Sequence, residues 1–192
     1  MRPRDDGAVA VELAMIVGLL LMIALGAVEY GLAFNNYFGL AASSREGARV
    51  GASIGEGASS GLGSSYDADC RILEAAAAAL HSTNNAEVVS VTIREWDAAS
   101  NQPENPGFYS QYRPFISGDE TDNPQLLRCN DGWFELSHGW PESVREPAIG
   151  PLPWIAVDVE FEHHWTTNFL WWNGSVTWNS QNVLRVEPVN YG

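Results

Sequence analysis

The sequence predicts an α+β fold in which a long, membrane-crossing amino-terminal helix and a second, amphipathic helix accompany an antiparallel sheet. Three observations lead there. From Leu13 to Phe34 the only charged residue is Glu29, and at roughly 1.5 Å per residue a helix over this stretch rises about 33 Å, enough for the roughly 30 Å hydrocarbon layer of a bilayer. Between Ala68 and His81 the apolar residues Ile72, Leu73, Ala76 and Leu80 recur at helical spacing. Further on, Val89, Val91 and Ile93 alternate with Ser90, Thr92 and Arg94, and Val157, Val159 and Phe161 with Asp158, Glu160 and Glu162. That alternation is the period of half-buried strands.

The chain before the apolar stretch, Met1 to Gly7, is short and carries Arg2, Arg4, Asp5 and Asp6. Arg45 and Arg49 on the far side balance the two amino-terminal arginines, so arginine bias alone does not orient the span. Three readings of the segment are open. It can be a signal peptide, with an apolar region from Leu13 to Ile23 and the small residues Ala24 and Gly26 placed for cleavage before Ala27. It can be a plain single-pass anchor. Or it can be a pilin-type helix, cut after Gly7 to leave Ala8 as the new terminus and Glu12 as the fifth residue. The apolar character continues through Val28, Tyr30, Leu32 and Phe34 into an uncharged run up to Ser44, which a cleaved signal would not need. A carboxylate among apolar helices costs several kcal/mol unless it is paired, and a free α-amino group is a suitable partner. Glu12 of one subunit meeting the Ala8 amine of its neighbour would set an axial register.

Beyond the span, Ala41 to Ala52 continues at helical pitch with few bulky side chains, and Gly47 and Gly51 are candidate helix-packing positions. Three runs together resemble TadE-like proteins, the minor pilins or pseudopilins of tight-adherence (Flp-type) pilus systems. They are Gly7-Ala8-Val9-Ala10-Val11-Glu12-Leu13, Glu29-Tyr30-Gly31 and Arg45-Glu46-Gly47-Ala48-Arg49. The resemblance is close from residue 7 to about 52 and looser at Arg185-Val186-Glu187-Pro188. Leu13 stands where an aromatic residue is usual, and Gly18 where many relatives carry proline. The resemblance implies a prepilin peptidase cutting after Gly7 and a pilin-like, single-pass protein of the inner membrane with its domain outside the cytoplasm. It also implies partnership with other pilin subunits, the pilus secretion machinery and the lipid bilayer. The expected layout is a leader at 1–7, a transmembrane and extended helix at 8–54, a glycine- and serine-rich linker at 55–66, and an extracytoplasmic α+β domain at 67–192.

About 140 residues beyond the helix suit a single core of ordinary size. The formal net charge is −14. Arg2 and Arg4 against Asp5, Asp6, Glu12 and Glu29 account for −2 of it, which leaves −12 beyond residue 35. Such a surface is a poor partner for nucleic acid.

Within the outer domain, Asp67 or Asp69 is placed to cap the second helix at its start and Asn84 to follow its end. The clearest hairpin signal is Asn173-Gly174, the preferred pair for a two-residue turn, between Phe169-Leu170-Trp171-Trp172 and Ser175-Val176-Thr177-Trp178. That register sets Trp171 opposite Val176 and Phe169 opposite Trp178, with Val183 to Val186 continuing the returning strand. Residues 97–153 hold eight of the ten prolines and read as an insertion, longer than a structureless loop should be. Leu126–Cys129 and Trp133–Leu136, turning at Asn130-Asp131-Gly132, are candidate arms of a small hairpin of its own.

Cys70 and Cys129 are candidates for a disulfide in an extracytoplasmic domain, and two buried thiols are the alternative. Eight tryptophans raise the alternative of a secreted or anchored tryptophan-rich binding domain, with Trp133, Trp140, Trp171 and Trp172 available to stack on sugars. Large aromatics also build cores and subunit contacts. Glu160, Glu162 and His164 would share one strand face, with His163 pointing the other way; a solvated acidic face explains them without a metal. Asp119 to Asn123 lacks the spacing of a calcium loop, and Asn173-Gly174-Ser175, formally a glycosylation sequon, is explained by its turn. No phosphate loop, nucleophile elbow or zinc-protease motif occurs, so the expectation is a non-enzymatic protein without cofactor or metal.

Overall fold

The computed structural model describes residues 6–54, 66–80, 86–116, 126–129, 132–140, 153–166 and 173–187. Helix α1 runs unbroken over Asp6–Ile54 and helix α2 over Tyr66–Leu80. Strands β1 (Ala86–Asp97), β2 (Gln102–Pro103), β3 (Tyr109–Pro114), β4 (Leu127–Arg128), β5 (Trp133–His138), β6 (Trp154–His164) and β7 (Ser175–Arg185) form one sheet. Its order is β4-β5-β3-β1-β6-β7, with β2 paired to the end of β1, and every pairing is antiparallel.

The alternation in the sequence becomes the two faces of this sheet. On the inner face Val91, Ile93, Ile155, Val157, Val159 and Phe161 are buried and meet Ile72, Leu73, Ala76 and Leu80 of α2 and Leu40, Ala48 and Ala52 of α1. The small residues of α1 allow this. A β-carbon on Gly51 would stand 2.8 Å from Ile155 Cδ1 and 3.1 Å from Ile72 Cδ1, and one on Gly47 3.1 Å from Val157 Cγ1. The helix therefore lies against strand and second helix at once.

The two helices and the sheet are joined by polar contacts as well. Ser43 Oγ donates to the Ala76 carbonyl across the helix pair at 2.8 Å, and the Tyr112 hydroxyl donates to Asp69 in the first turn of α2 at 2.6 Å. The Glu187 amide donates to the Ala52 carbonyl at 2.9 Å, which fastens the chain after β7 to the last turn of α1. Cys70 of α2 and Cys129 beyond β4 are bonded to each other, tying the helix to the far edge of the sheet.

The partner of β7 is β6: His163 lies opposite Val176 and Phe161 opposite Trp178. Phe169 to Trp172, the other arm expected for the hairpin, lie outside the described residues. The long strand Trp154–His164 offers eleven paired positions, many more than a tight turn at Asn173-Gly174 could close. Val89 is not on the core face. The register of β1 against β6 shifts between Val88 and Ser90, so Val89 is bulged out and 38% exposed, while Val88 packs on the core. A bulge inserts one unpaired residue in this way. Within the 97–153 insertion, β2 to β5 extend the main sheet. Its hairpin does form, with Leu127 opposite Phe134 and Arg128 opposite Trp133. Along α1 residues 7–25 are exposed, Gly26 is the first buried position, and from Glu29 onward one face of the helix packs against the rest of the domain.

Two stability outcomes follow. Gly51→Leu is expected to cost about 1–3 kcal/mol by overpacking, read as a lowered denaturation midpoint in detergent. Replacing Cys70 and Cys129 by alanine is expected to cost about 4 kcal/mol, since the bond closes a loop of roughly 60 residues in the unfolded chain; the same measurement checks it.

Candidate functional site

The membrane-side end of the molecule can be located from contacts along α1. Glu29 meets Thr166, Asn36 meets His163, Ser44 meets Ser180 and Asn182, Gly47 approaches Val157 and Gly51 approaches Ile155. Strand β6 thus runs antiparallel to α1, and its carboxyl end faces the free part of the helix. That part, including Glu12, is exposed at every position from Gly7 to Val28 except Gly26. From Val9 to Val28 it rises about 30 Å, which matches a hydrocarbon layer.

Where the domain first touches the helix, the contact is polar and buried. Glu29 is fully buried and one of its carboxylate oxygens accepts the Thr166 amide at 2.5 Å. Seven residues on, Asn36 Nδ2 donates to Nδ1 of the buried His163 at 2.8 Å. Seven further, Ser43 bonds α2, while its neighbour Ser44 joins Ser180 and receives Asn182 at 2.7 Å. Spacings of seven keep these groups on one helix face with only about 20° of drift per step. Burying such groups is costly unless each is hydrogen-bonded, so the seam fixes the axial and rotational setting of helix against sheet.

His163 organises what surrounds it. Accepting at Nδ1, it carries its proton at Nε2, which has no hydrogen-bond partner among the described residues. The ring of Trp178 stacks on it at 5.6 Å and 6°, and Trp165 meets it edge-on at 5.0 Å. Trp165 in turn touches Tyr30 and Trp178 touches Tyr37. Burial holds the imidazole below its ordinary pKa; the nearby Glu29 charge opposes this and His164 adds to it. The four aromatics with Ala33 and Phe34 line a cavity of about 270 Å³ beside α1.

On the opposite face of the sheet Ser90, Thr92, Arg94, Gln111, Asp158 and Glu160 line a polar trough. Arg94 and Asp158 approach to 3.8 Å, and burial raises the Asp158 pKa against the pull of Arg94. Glu160 accepts the Ser90 hydroxyl and Glu162 that of Ser175. Among the described residues no three His, Cys, Asp or Glu side chains converge as a cation site.

Gly7, Ala8 and Glu12 lie on the free end of α1, far from this junction, whereas Gly47 and Gly51 lie at its tight upper contact. Trp133 and Trp140 are 7% and 2% exposed, so neither can stack on a sugar; Trp171 and Trp172 lie outside the described residues. Sequence reasoning missed the pairing roles of Glu29, Asn36 and His163. The available signal was a lone acid in an apolar span with polar residues at seven-residue intervals after it.

Residues 7–49 match the family model described as TadE-like protein. Comparison with curated proteins and with solved structures gave no match. The family match and the long apolar helix fit a membrane-anchored protein associated with a pilus system.

Glu29→Ala removes the acceptor of the Thr166 amide and is expected to cost about 1–3 kcal/mol, with faster hydrogen exchange at that amide. The depressed His163 pKa means the unfolded chain binds the proton more readily, so stability is full above the ordinary value of 6.5 and falls as pH drops below it toward the depressed value. His163→Phe should flatten that part of a stability–pH curve measured by denaturation.

Proposed function

We propose that this chain is a minor pilin or pseudopilin taking part in assembly of a tight-adherence, Flp-type pilus. The family match over residues 7–49 supports the reading, and one structural observation carries it. A single unbroken helix presents an exposed apolar rod bearing Glu12 at one end, and at the other is built into the domain it carries. A rod that were only a cleaved signal would have no reason to continue into the core.

In this reading residues 1–7 are a leader removed by a prepilin peptidase, which leaves Ala8 as the terminus. The helix holds the subunit in the inner membrane with the domain outside the cytoplasm. Glu12 then pairs with the Ala8 amine of a neighbouring subunit, since a carboxylate in an apolar bundle demands a cationic partner. Its part is to dock with other subunits and with the secretion machinery. The alternative of a tryptophan-rich binding domain is weakened by the burial of Trp133 and Trp140.

Amino-terminal sequencing of protein from the native host separates the readings. A terminus at Ala8 is expected; one at Ala27 would mean a secreted domain, and an intact Met1 a simple anchor. Glu12→Ala should leave the domain folded, by proteolysis and circular dichroism, and abolish pili in electron micrographs. Normal pili from that variant would overturn the pairing.

A further inference from the structure

The sheet has two edges, and they are finished differently. At one, β4 is two residues long and the chain turns left-handed at Cys129, with φ of 56°, where the disulfide from Cys70 arrives. An edge strand this short discourages further pairing. At the other, β7 runs for 11 residues, Ser175–Arg185, without a proline and with no charge before Arg185. Its register against β6 holds from end to end, whereas β1 shifts against β6 and β3 against β5. Proline, bulge and inward charge, the usual devices that blunt an edge, are all missing from β7.

Two hydrogen bonds fix which of its backbone groups point outward. The Trp165 amide donates to the Gly174 carbonyl and the Val186 amide to the Pro153 carbonyl, and both pairs continue the β6–β7 register. Bonded and non-bonded pairs alternate along an antiparallel ladder, so Val176, Trp178, Ser180, Asn182 and Leu184 turn their N–H and C=O groups to β6. Those of Ser175, Thr177, Asn179, Gln181, Val183 and Arg185 point away from it. Among the described residues no strand pairs on that side, and all six but Val183 are exposed.

The outer face beside this edge is acidic. Glu162, Glu160 and Asp158 of β6 stand opposite Thr177, Asn179 and Gln181, and Arg94 offsets one of the three. Thr177 and Asn179 carry the polar trough, of about 390 Å³, from Arg94 and Asp158 out to the edge. A strand added to β7 would lie about 10 Å from β6, two strand spacings away. Long cationic side chains on its outer face would lean over Thr177 and Asn179 into the trough.

We infer that the open edge of β7 binds, by strand addition, an extended segment of another protein with lysine or arginine at alternate positions. Main-chain bonds to the outward groups supply the affinity, and the trough selects the alternate side chains. A second copy of this chain is not the occupant. Strand β6 runs antiparallel to α1, so β7 runs parallel to it, and a symmetric β7–β7 ladder is antiparallel. It would oppose the two α1 helices, whereas copies anchored in one membrane share a direction. Anchoring enters at that step alone, and the pilus reading does not enter.

The test titrates the full chain in nonionic detergent with a fluorescent peptide in which lysine and threonine alternate over the length of β7, read by anisotropy. Saturable binding is expected, and Thr177→Pro should weaken it about tenfold or more, because it removes an outward N–H and sets a ring in the path of the new ladder. The denaturation midpoint of that variant should hold, since proline is tolerated where the N–H faces outward from an edge strand. A peptide methylated on every backbone nitrogen should lose its binding to the unaltered protein, a reading that needs no variant. Glutamate in place of the lysines should weaken binding about tenfold or more through like-charge repulsion. Absence of saturable binding overturns the inference. So does equal binding by Thr177→Pro or by the methylated peptide, which would reduce the contact to charge attraction alone. Equal binding of the glutamate peptide overturns the cationic partner. Dimers in sedimentation that Thr177→Pro dissolves would give the edge to a second copy and overturn the inference as well.

Discussion

Glu29 is a carboxylate placed where neither water nor lipid can satisfy it, and the way the fold satisfies it sets much of the rest. An isolated charge in such a place carries a penalty of several kcal/mol, so the Thr166 amide must reach it. Once that contact is made, β6 is fixed along α1, His163 comes level with Asn36 and Ser44 finds Ser180 and Asn182. Apolar packing alone would let a smooth helix slide or rotate on a sheet. Polar groups at seven-residue intervals do not permit it, because any other setting leaves several of them buried without partners.

The same seam divides α1 into two functional lengths. Below it the helix is exposed at every position from Gly7 to Val28 except Gly26. Above it small residues let the helix sink between α2 and the sheet. The sequence family is matched over both lengths, whereas the sheet behind them has no counterpart among the proteins compared.

Helices and the two central strands were legible in the sequence because their apolar periods are long and regular. Ile72, Leu73, Ala76 and Leu80 could only be one face of a helix, and Val157, Val159 and Phe161 one face of a strand. The β7 partnership was not legible, since Asn173-Gly174 is a strong local signal and strand pairing is decided by the length of ladder gained. The bulge at Val89 was hidden for a similar reason: it changes the phase of an alternation without interrupting it. Strand β3, Tyr109–Pro114, escaped notice because Gln111 and Arg113 separate aromatic and polar residues with no clear period. Glu29 and Thr166 lie 137 positions apart in the chain and Asn36 and His163 127, and nothing local to either member of a pair identifies the other.

The amide of Glu187 on the carbonyl of Ala52 closes the upper end of the clamp that Glu29 and Thr166 close below. A helix gripped at both ends of its docked length is a shaft keyed to its load. Rotation or axial thrust applied to the rod inside the membrane must turn or lift the whole sheet with it, without slack at the joint. A machine that grasps only the greasy stem would thereby control the heading of the domain that emerges.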